Sequence, residues 1–132
     1  MVPTSFDHVA LRTPERDRLC SFLLETLGVH EITRGEDFTL LGVDAREGKI
    51  TVFDAGEPRE PGLLRRIGLR VRDVTTAVAA TPGAKPCFVA PGGFEIELVE
   101  RDGDWPDYDL DHVVLGVPDP EATAAGLERL PP

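Results

Sequence analysis

The segment Phe6-Asp7-His8-Val9-Ala10-Leu11-Arg12-Thr13-Pro14-Glu15 returns near the other end of the chain as Leu110-Asp111-His112-Val113-Val114-Leu115-Gly116-Val117-Pro118-Asp119. Between them lies a weaker copy, Arg65-Arg66-Ile67-Gly68-Leu69-Arg70-Val71-Arg72-Asp73. Each copy alternates apolar and polar residues and is rich in β-branched ones, the pattern of a strand of about seven residues. Each then meets a polar or proline break and a helical pattern. Self-similarity of this kind means that one supersecondary unit has been used more than once.

Working outward from the first copy, Leu19, Phe22, Leu23 and Leu27 form one apolar stripe at helical spacing. Thr13 is placed to cap that helix, with Pro14 at its first position, Glu15 in its first turn and Gly28 at its end. Strands are expected at 29–33, 38–43 and 49–54, separated by turns at 35–37 and 44–48. Residues 5–55 therefore read β-α-β-β-β. The stretch 56–63 is rich in Gly and Pro and reads as a linker. From the second copy a shorter module runs over 64–100. It has a strand at 64–71, a brief helix at 74–80 capped by Asp73, and strands at 86–90 and 94–100. In the last of these, Phe94, Ile96 and Leu98 take one face, and Glu95, Glu97 and Val99 the other. The third copy supplies a strand at 110–117 and a helix at 119–130, an extra strand-helix unit over 108–132. Eight strands and three helices are expected, in an α+β arrangement.

The chain has 132 residues, one ordinary domain or two small modules sharing a core. Hydrophobic residues are 41% and charged residues 29%, a globular composition that needs neither disulfide nor metal to fold. The formal net charge of −10 repels phosphate backbones and anionic lipid, which argues against nucleic-acid and membrane-surface functions. No apolar run is long enough to span a bilayer. MVPTSFDHVALRT has neither a basic nor an apolar region, so no signal peptide is expected. Cys20 and Cys87 are too few for a disulfide framework, and a reducing cytoplasm is the expected setting. Cys20 lies beside the helical stripe and reads as a small core residue. His30 reads as a surface residue.

A repeated β-α-β-β-β pattern opening on Asp7-His8-Val9-Ala10-Leu11-Arg12 and closing on Gly93-Phe94-Glu95-Ile96-Glu97-Leu98-Val99-Glu100 resembles the vicinal-oxygen-chelate superfamily. Glyoxalase I, bleomycin- and fosfomycin-resistance proteins, methylmalonyl-CoA epimerase and extradiol dioxygenases belong to it. The resemblance covers nearly the whole chain. It implies paired βαβββ modules whose sheets curl around an open cavity holding a divalent metal. It also implies ligands from the first strand (His or Gln) and last strand (Glu) of each module.

Carried over residue by residue, the resemblance places metal ligands at His8 and at Glu97, with Glu97 also in the catalytic role. The other two slots fall on Arg66, an obligate cation that cannot ligate, and Thr51, a poor ligand. Arg66, Arg12 and Thr51 are therefore candidate substrate contacts. A catalytic divalent site takes three protein ligands and an open position, so a third ligand is needed. His112, in the third Asp-His-Val copy, is the candidate, with Glu95 a weaker one. Two histidines and a carboxylate suit Fe or Mn, and Ni or Zn are alternatives. An Arg66–Glu97 ion pair in place of a metal is the competing reading of the same residues.

Two functions follow as expectations. One is a metal-dependent enzyme with dioxygenase or glyoxalase-like lyase and isomerase chemistry, the metal acting as Lewis acid or activating O₂. The other is a metal-free module that sequesters a small molecule or drug between modules. A third expectation makes the chain half of a longer two-domain protein. A homodimer is expected from the resemblance and from the shortened second module. The first strands of the two modules are expected side by side, with His8 and Arg66 facing one cavity. The strand at 110–117 is expected to cover the sheet edge that module two leaves open, in its own chain or in a partner's.

Overall fold

The computed structural model describes residues 7–42, 49–56, 64–102 and 108–129. The turn expected at 44–48, most of the linker and the acidic stretch 103–107 with Trp105 lie outside them. The element order is β1 (His8–Thr13), α1 (Arg16–Leu27), β2 (His30–Arg34), β3 (Phe38–Gly42), β4 (Lys49–Asp54), β5 (Leu64–Val71), α2 (Val74–Val78), β6 (Cys87–Val89), β7 (Glu95–Glu100), β8 (Tyr108–Leu115) and α3 (Pro120–Glu128). A single 3-10 turn, Pro82–Ala84, precedes β6. The expected eight strands and three helices are present among the described residues.

The strands form two mixed sheets of four. The first has the order β1-β4-β3-β2 and the second β6-β7-β5-β8. In each, the first strand of the module runs parallel to its last, β1 beside β4 and β5 beside β7. Module two contributes only three strands of its own. β8 fills the vacant flank of β5, antiparallel and within the same chain. The expectation that β1 and β5 lie side by side is corrected here. They belong to different sheets, because β8 already holds the flank of β5 that β1 would need.

Alternation explains which face each strand buries. Val9, Leu11 and Thr13 of β1 point inward, while His8, Ala10 and Arg12 are exposed. Ile96 and Leu98 are buried with Phe94, and Glu95 and Glu97 lie on the opposite face, as their pattern dictates. The inward faces of both sheets join one core. Helix α1 supplies Leu19, Cys20, Leu23 and Leu27 to it and packs on β3 and β4. Removing each of those leucines from water contributes about 1.5–3 kcal/mol. Phe22 meets Phe88 of β6 with ring centroids 6.0 Å apart, tying the first module to the second.

Helix α1 begins two residues later than its sequence pattern suggests. Thr13 is the last residue of β1 and pairs with Asp54, so it is committed to the sheet. Its Oγ1 still accepts a hydrogen bond from the Glu15 N–H, turning the chain into the helix. Arg16 then pins that turn. Its guanidinium, only 14% exposed, faces Asp54 at 3.2 Å and donates to the carbonyls of Gly35 and Glu36. Gly28 ends α1 at φ 68°, donating its N–H to the Leu24 carbonyl, a left-handed position that glycine adopts without strain. In module two, Asp73 caps α2 by accepting from the Thr76 N–H. The helix is one turn and a half long, as its run of β-branched residues requires.

Candidate functional site

The outward face of the second sheet gathers most of the candidate residues. Reading across β6, β7, β5 and β8, the register places Cys87, Glu97, Gly68 and His112 in one row. The next row holds Val89, Glu95, Arg66 and Val114. All side chains of these rows project away from the core, because Ile96, Leu98, Ile67 and Leu69 take the other face.

Arg66 is the hub. Its guanidinium reaches Glu95 Oε2 at 2.9 Å through Nη2 and 3.0 Å through Nε, and Glu97 Oε2 at 3.4 Å through Nη1. The hydrogen bond to Glu95 is the main reason its pKa is raised further above the usual arginine value. On the far side of the same Glu97 oxygen sits His112, with Nε2 at 3.5 Å. Glu97 Oε2 is thus shared by a guanidinium and an imidazole. Arg66 is 34% exposed and Glu97 31%, so water screens the cluster, and the pair is half-buried rather than sealed in a cavity.

His112 is held by two features that alternation alone hides. The first is Gly68, directly beneath the ring. A Cβ there would fall inside the van der Waals shell of Cε1, Nδ1 and Nε2, the last at 2.6 Å. The second is Asp111, whose Oδ2 lies 2.6 Å from His112 Nδ1. Neighbouring strand residues ordinarily point to opposite faces, but the register slips between Gly68 and Leu69 and leaves Asp111 with no residue directly opposite it in the β5–β8 ladder. That bulge lets Asp111 turn toward the imidazole. Asp111 is only 11% exposed and is flanked by Arg101 at 3.3 Å and Arg70 at 3.5 Å. Burial pushes its carboxyl pKa up, but the His112 hydrogen bond and the two guanidinium charges outweigh it and leave the net value lowered. An ionised Asp111 accepts from Nδ1–H and fixes the ring's orientation, with Nε2 turned toward Glu97 on the open face.

The first sheet holds the remaining candidates on its own outward face. His8 is 59% exposed, its Nδ1 2.7 Å from Asp7 Oδ2. The Asp-His contact of the third copy is thus repeated in the first. Lys49 Nζ stands 3.7 Å from Asp7. Ala10 pairs with Thr51 and Arg12 with Phe53, and Phe53 meets Phe38 at 6.2 Å. Arg66, Glu97, Glu95 and His112 are therefore brought together, whereas His8, Arg12 and Thr51 sit on a separate sheet. His30 is exposed at the start of β2, as expected. Cys20 is buried and Cys87 half-buried, both as free thiols.

The residues do not fit a metal within one chain. Among the described residues no group of three His, Cys, Asp or Glu side chains is placed to hold one. The donor chemistry points the same way: Glu97 already faces a permanent guanidinium, which would repel a divalent cation at the same oxygen. Within this chain His8 stands on a different sheet from Glu97 and His112, for the topological reason given above. A cavity of about 320 Å³ exists elsewhere, lined by Val71, Arg72, Asp73, Thr76, Ala77 and Tyr108, and takes none of the candidate residues.

Sequence reasoning missed Asp111, Gly68, Arg70 and Arg101. The repeated Asp-His dipeptide was a usable signal for Asp111. Nothing local marked the other three, since their roles arise from β8 settling beside β5.

Two mixed sheets of four strands, built from a βαβββ module and a shortened copy, are the fold of the vicinal-oxygen-chelate superfamily, to which glyoxalases and related dioxygenases belong. A glyoxalase I variant from Zea mays matches with a TM-score of 0.75 and 17% identity over 95% of this chain and 55% of that one. This chain therefore spans about half the length of the maize protein. Lactoylglutathione lyase from Agrobacterium tumefaciens matches at TM-score 0.58 and 14% identity, over 75% of this chain and 95% of that one. A possible glyoxalase from Bacillus cereus matches at 0.57 and 20%, over 73% and 98%. Likeness at such identities is one of fold. No family model matches the sequence, and no curated protein does. No helix among the described residues is long and apolar enough to cross a membrane.

Proposed function

We propose that the chain binds a small molecule on the outward face of the second sheet, with Arg66 standing as the site's fixed cation in place of a metal. The observation that supports this reading is the Arg66–Glu97 contact at 3.4 Å, at the slots where the resemblance implies metal ligands. Glu95 and Glu97 orient the guanidinium, whose remaining N–H groups are left for oxygens of a ligand. His112, oriented by Asp111, offers Nε2 as an acceptor or a proton carrier beside it. Arg12 and Thr51 join this surface only from a second copy, so a homodimer is part of the proposal. The chain works in the reducing cytoplasm, where Cys20 and Cys87 stay as thiols.

One observation favours the metal-dependent enzyme as a second reading. Glu97 and His112 already lie 3.5 Å apart, and a carboxylate on the distal ring nitrogen is the usual support of a ligating histidine. His8 of another copy would then be the third ligand.

Metal content after purification without chelator, and melting temperature with and without Fe²⁺, Mn²⁺, Ni²⁺ or Zn²⁺, separate the two. The metal-free reading expects no retained metal and no metal-dependent shift. One retained equivalent, lost in both Glu97→Gln and His112→Ala, would overturn it in favour of the enzyme.

A further inference from the structure

The two modules are covered by helices of very different length. Helix α1 has 12 residues and buries Leu19, Cys20, Leu23 and Leu27, whereas α2 has 5 and buries none. The shorter helix packs on β7, on one side of β5, while β8 lies on the other side. At the end of β5 this leaves a cavity of about 320 Å³. Val71 of β5 and Tyr108 of β8 line it from the sheet, and as direct partners across the ladder they share one face. Thr76 and Ala77 line it from α2, and Arg72 and Asp73 from the turn between. The cavity is remote from the Arg66 cluster. Val71 lies five residues further along β5, about 16 Å, and is buried on the opposite face.

An apolar lining with a few polar groups at one end is the make-up of a small-ligand site. At ~30 Å³ per water the space suits a ligand of about ten non-hydrogen atoms. The charge it takes follows from the hydrogen bonds around it. An anion would need backbone N–H groups, and those of Val74 and Thr76 are already given to Glu100 Oε1 at 3.1 Å and Asp73 Oδ1 at 3.2 Å. Arg72 lines the cavity too, but an anion beside it would also face the Asp73 carboxylate. A cation finds that carboxylate prepared. Thr76 fixes it with its N–H and with its hydroxyl, at 3.0 Å, and a carboxylate has lone pairs beyond the two those bonds use. The net charge of −10 raises the local concentration of cations at the mouth. We propose that this cavity binds a small organic cation, a primary amine on a flat apolar body, with its hydrocarbon against Val71, Ala77 and Tyr108 and its ammonium at Asp73.

Three probes of one size and shape test it: phenethylamine, the neutral 2-phenylethanol and the anionic phenylacetate. Each is titrated into the ¹⁵N-labelled chain at low salt, about 20 mM, where surface charge is least screened. Phenethylamine is expected to shift the amides of Val71 to Ala77 and of Tyr108, with a Kd on the order of 1 mM. Because Asp73 is exposed, its charge should make the amine bind at least about threefold more tightly than the alcohol, with phenylacetate weakest. Asp73→Asn keeps the helix cap and should bring the amine down to the level of the alcohol. Ala77→Leu fills the cavity and should remove the shifts of both. No shift in this segment at about ten times the expected Kd, or shifts confined to Arg66, Glu95 and Glu97, overturns the proposal. So does tighter binding of phenylacetate than of phenethylamine, or an Ala77→Leu chain that still responds to the amine. The comparison of the three probes in the parent protein decides the matter if a variant does not fold. Either result is independent of the binding reading of the outward face, which keeps its own test.

Discussion

Replacing Gly68 by Ala tests how the site is held. The added Cβ would lie well inside contact distance of the His112 ring, so the imidazole must move by about 1 Å or swing off the sheet. Either motion breaks its 2.6 Å contact with Asp111. A hydrogen bond to a charged group contributes about 1.5–3 kcal/mol. His112 is about a third exposed, which reduces the expected loss to about 1–2 kcal/mol. Against this, Ala in a strand restricts the unfolded chain more than Gly and returns about 0.5 kcal/mol or slightly more. Gly68→Ala should therefore destabilise the parent protein by about 1 kcal/mol. In a His112→Ala background nothing remains over Gly68 to be displaced, and the same change should be neutral or stabilising by about 0.5 kcal/mol. The coupling between the two sites is then about 1.5 kcal/mol. Equilibrium urea unfolding of the four proteins at neutral pH measures it. A coupling below about 0.5 kcal/mol would refute the claim that the ring is seated on the bare backbone of Gly68.

Arg66→Ala should lower stability by only about 1 kcal/mol, since water reaches the half-exposed Glu95 and Glu97 once the guanidinium is gone. Glu97→Gln should cost less still, because Glu95 keeps hold of Arg66, and the melting temperatures of both variants check the order. Arg16→Ala should cost about 2 kcal/mol, as it frees the Gly35 and Glu36 carbonyls and Asp54 at the start of α1, which urea unfolding measures. Asp111 has a carboxyl pKa below its ordinary 3.8, so it stabilises the fold at pH values above that and loses the contribution as the pH falls through its lower folded value. The stability gap between the parent and Asp111→Asn should be full at pH 7 and shrink below about pH 4, and a gap independent of pH from 7 to 3 would count against an ionised Asp111.

How much of this was legible in the sequence depends on how local the determining physics is. The inward and outward faces of β7 follow from strict alternation over 94–99, and burial agrees at each apolar position. The Leu19–Leu27 stripe, the Gly28 terminus and the Asp73 cap follow from spacing within a few residues. The start of α1 was misplaced because Thr13 satisfies two local rules, as cap and as strand residue, and pairing with Asp54 decides between them. The Arg66–Glu97 alternative could be named from the sequence, since both residues fall in motif slots. Its half-exposure could not, as that depends on what covers the sheet. Asp111 was hidden because the bulge that turns it is a property of two strands, not one.

Which strand flanks β5 is the least local question of all. β1 and β8 share Asp-His-Val-x-Leu, so short-range pairing energies barely distinguish them. Loop length barely does either. Thirty-six residues, 72–107, separate β5 from β8, and fifty, 14–63, separate β1 from β5. For flexible connections the difference in closure entropy is (3/2)RT ln(50/36), about 0.3 kcal/mol in favour of β8. What separates the two strands is what each must bring along. β1 is bonded to β4 and would carry the whole first sheet to the flank of β5, whereas β8 arrives with only α3 behind it. The repeat that reveals the fold thus leaves the pairing open at the level of sequence, and the neighbours each strand has already taken decide it.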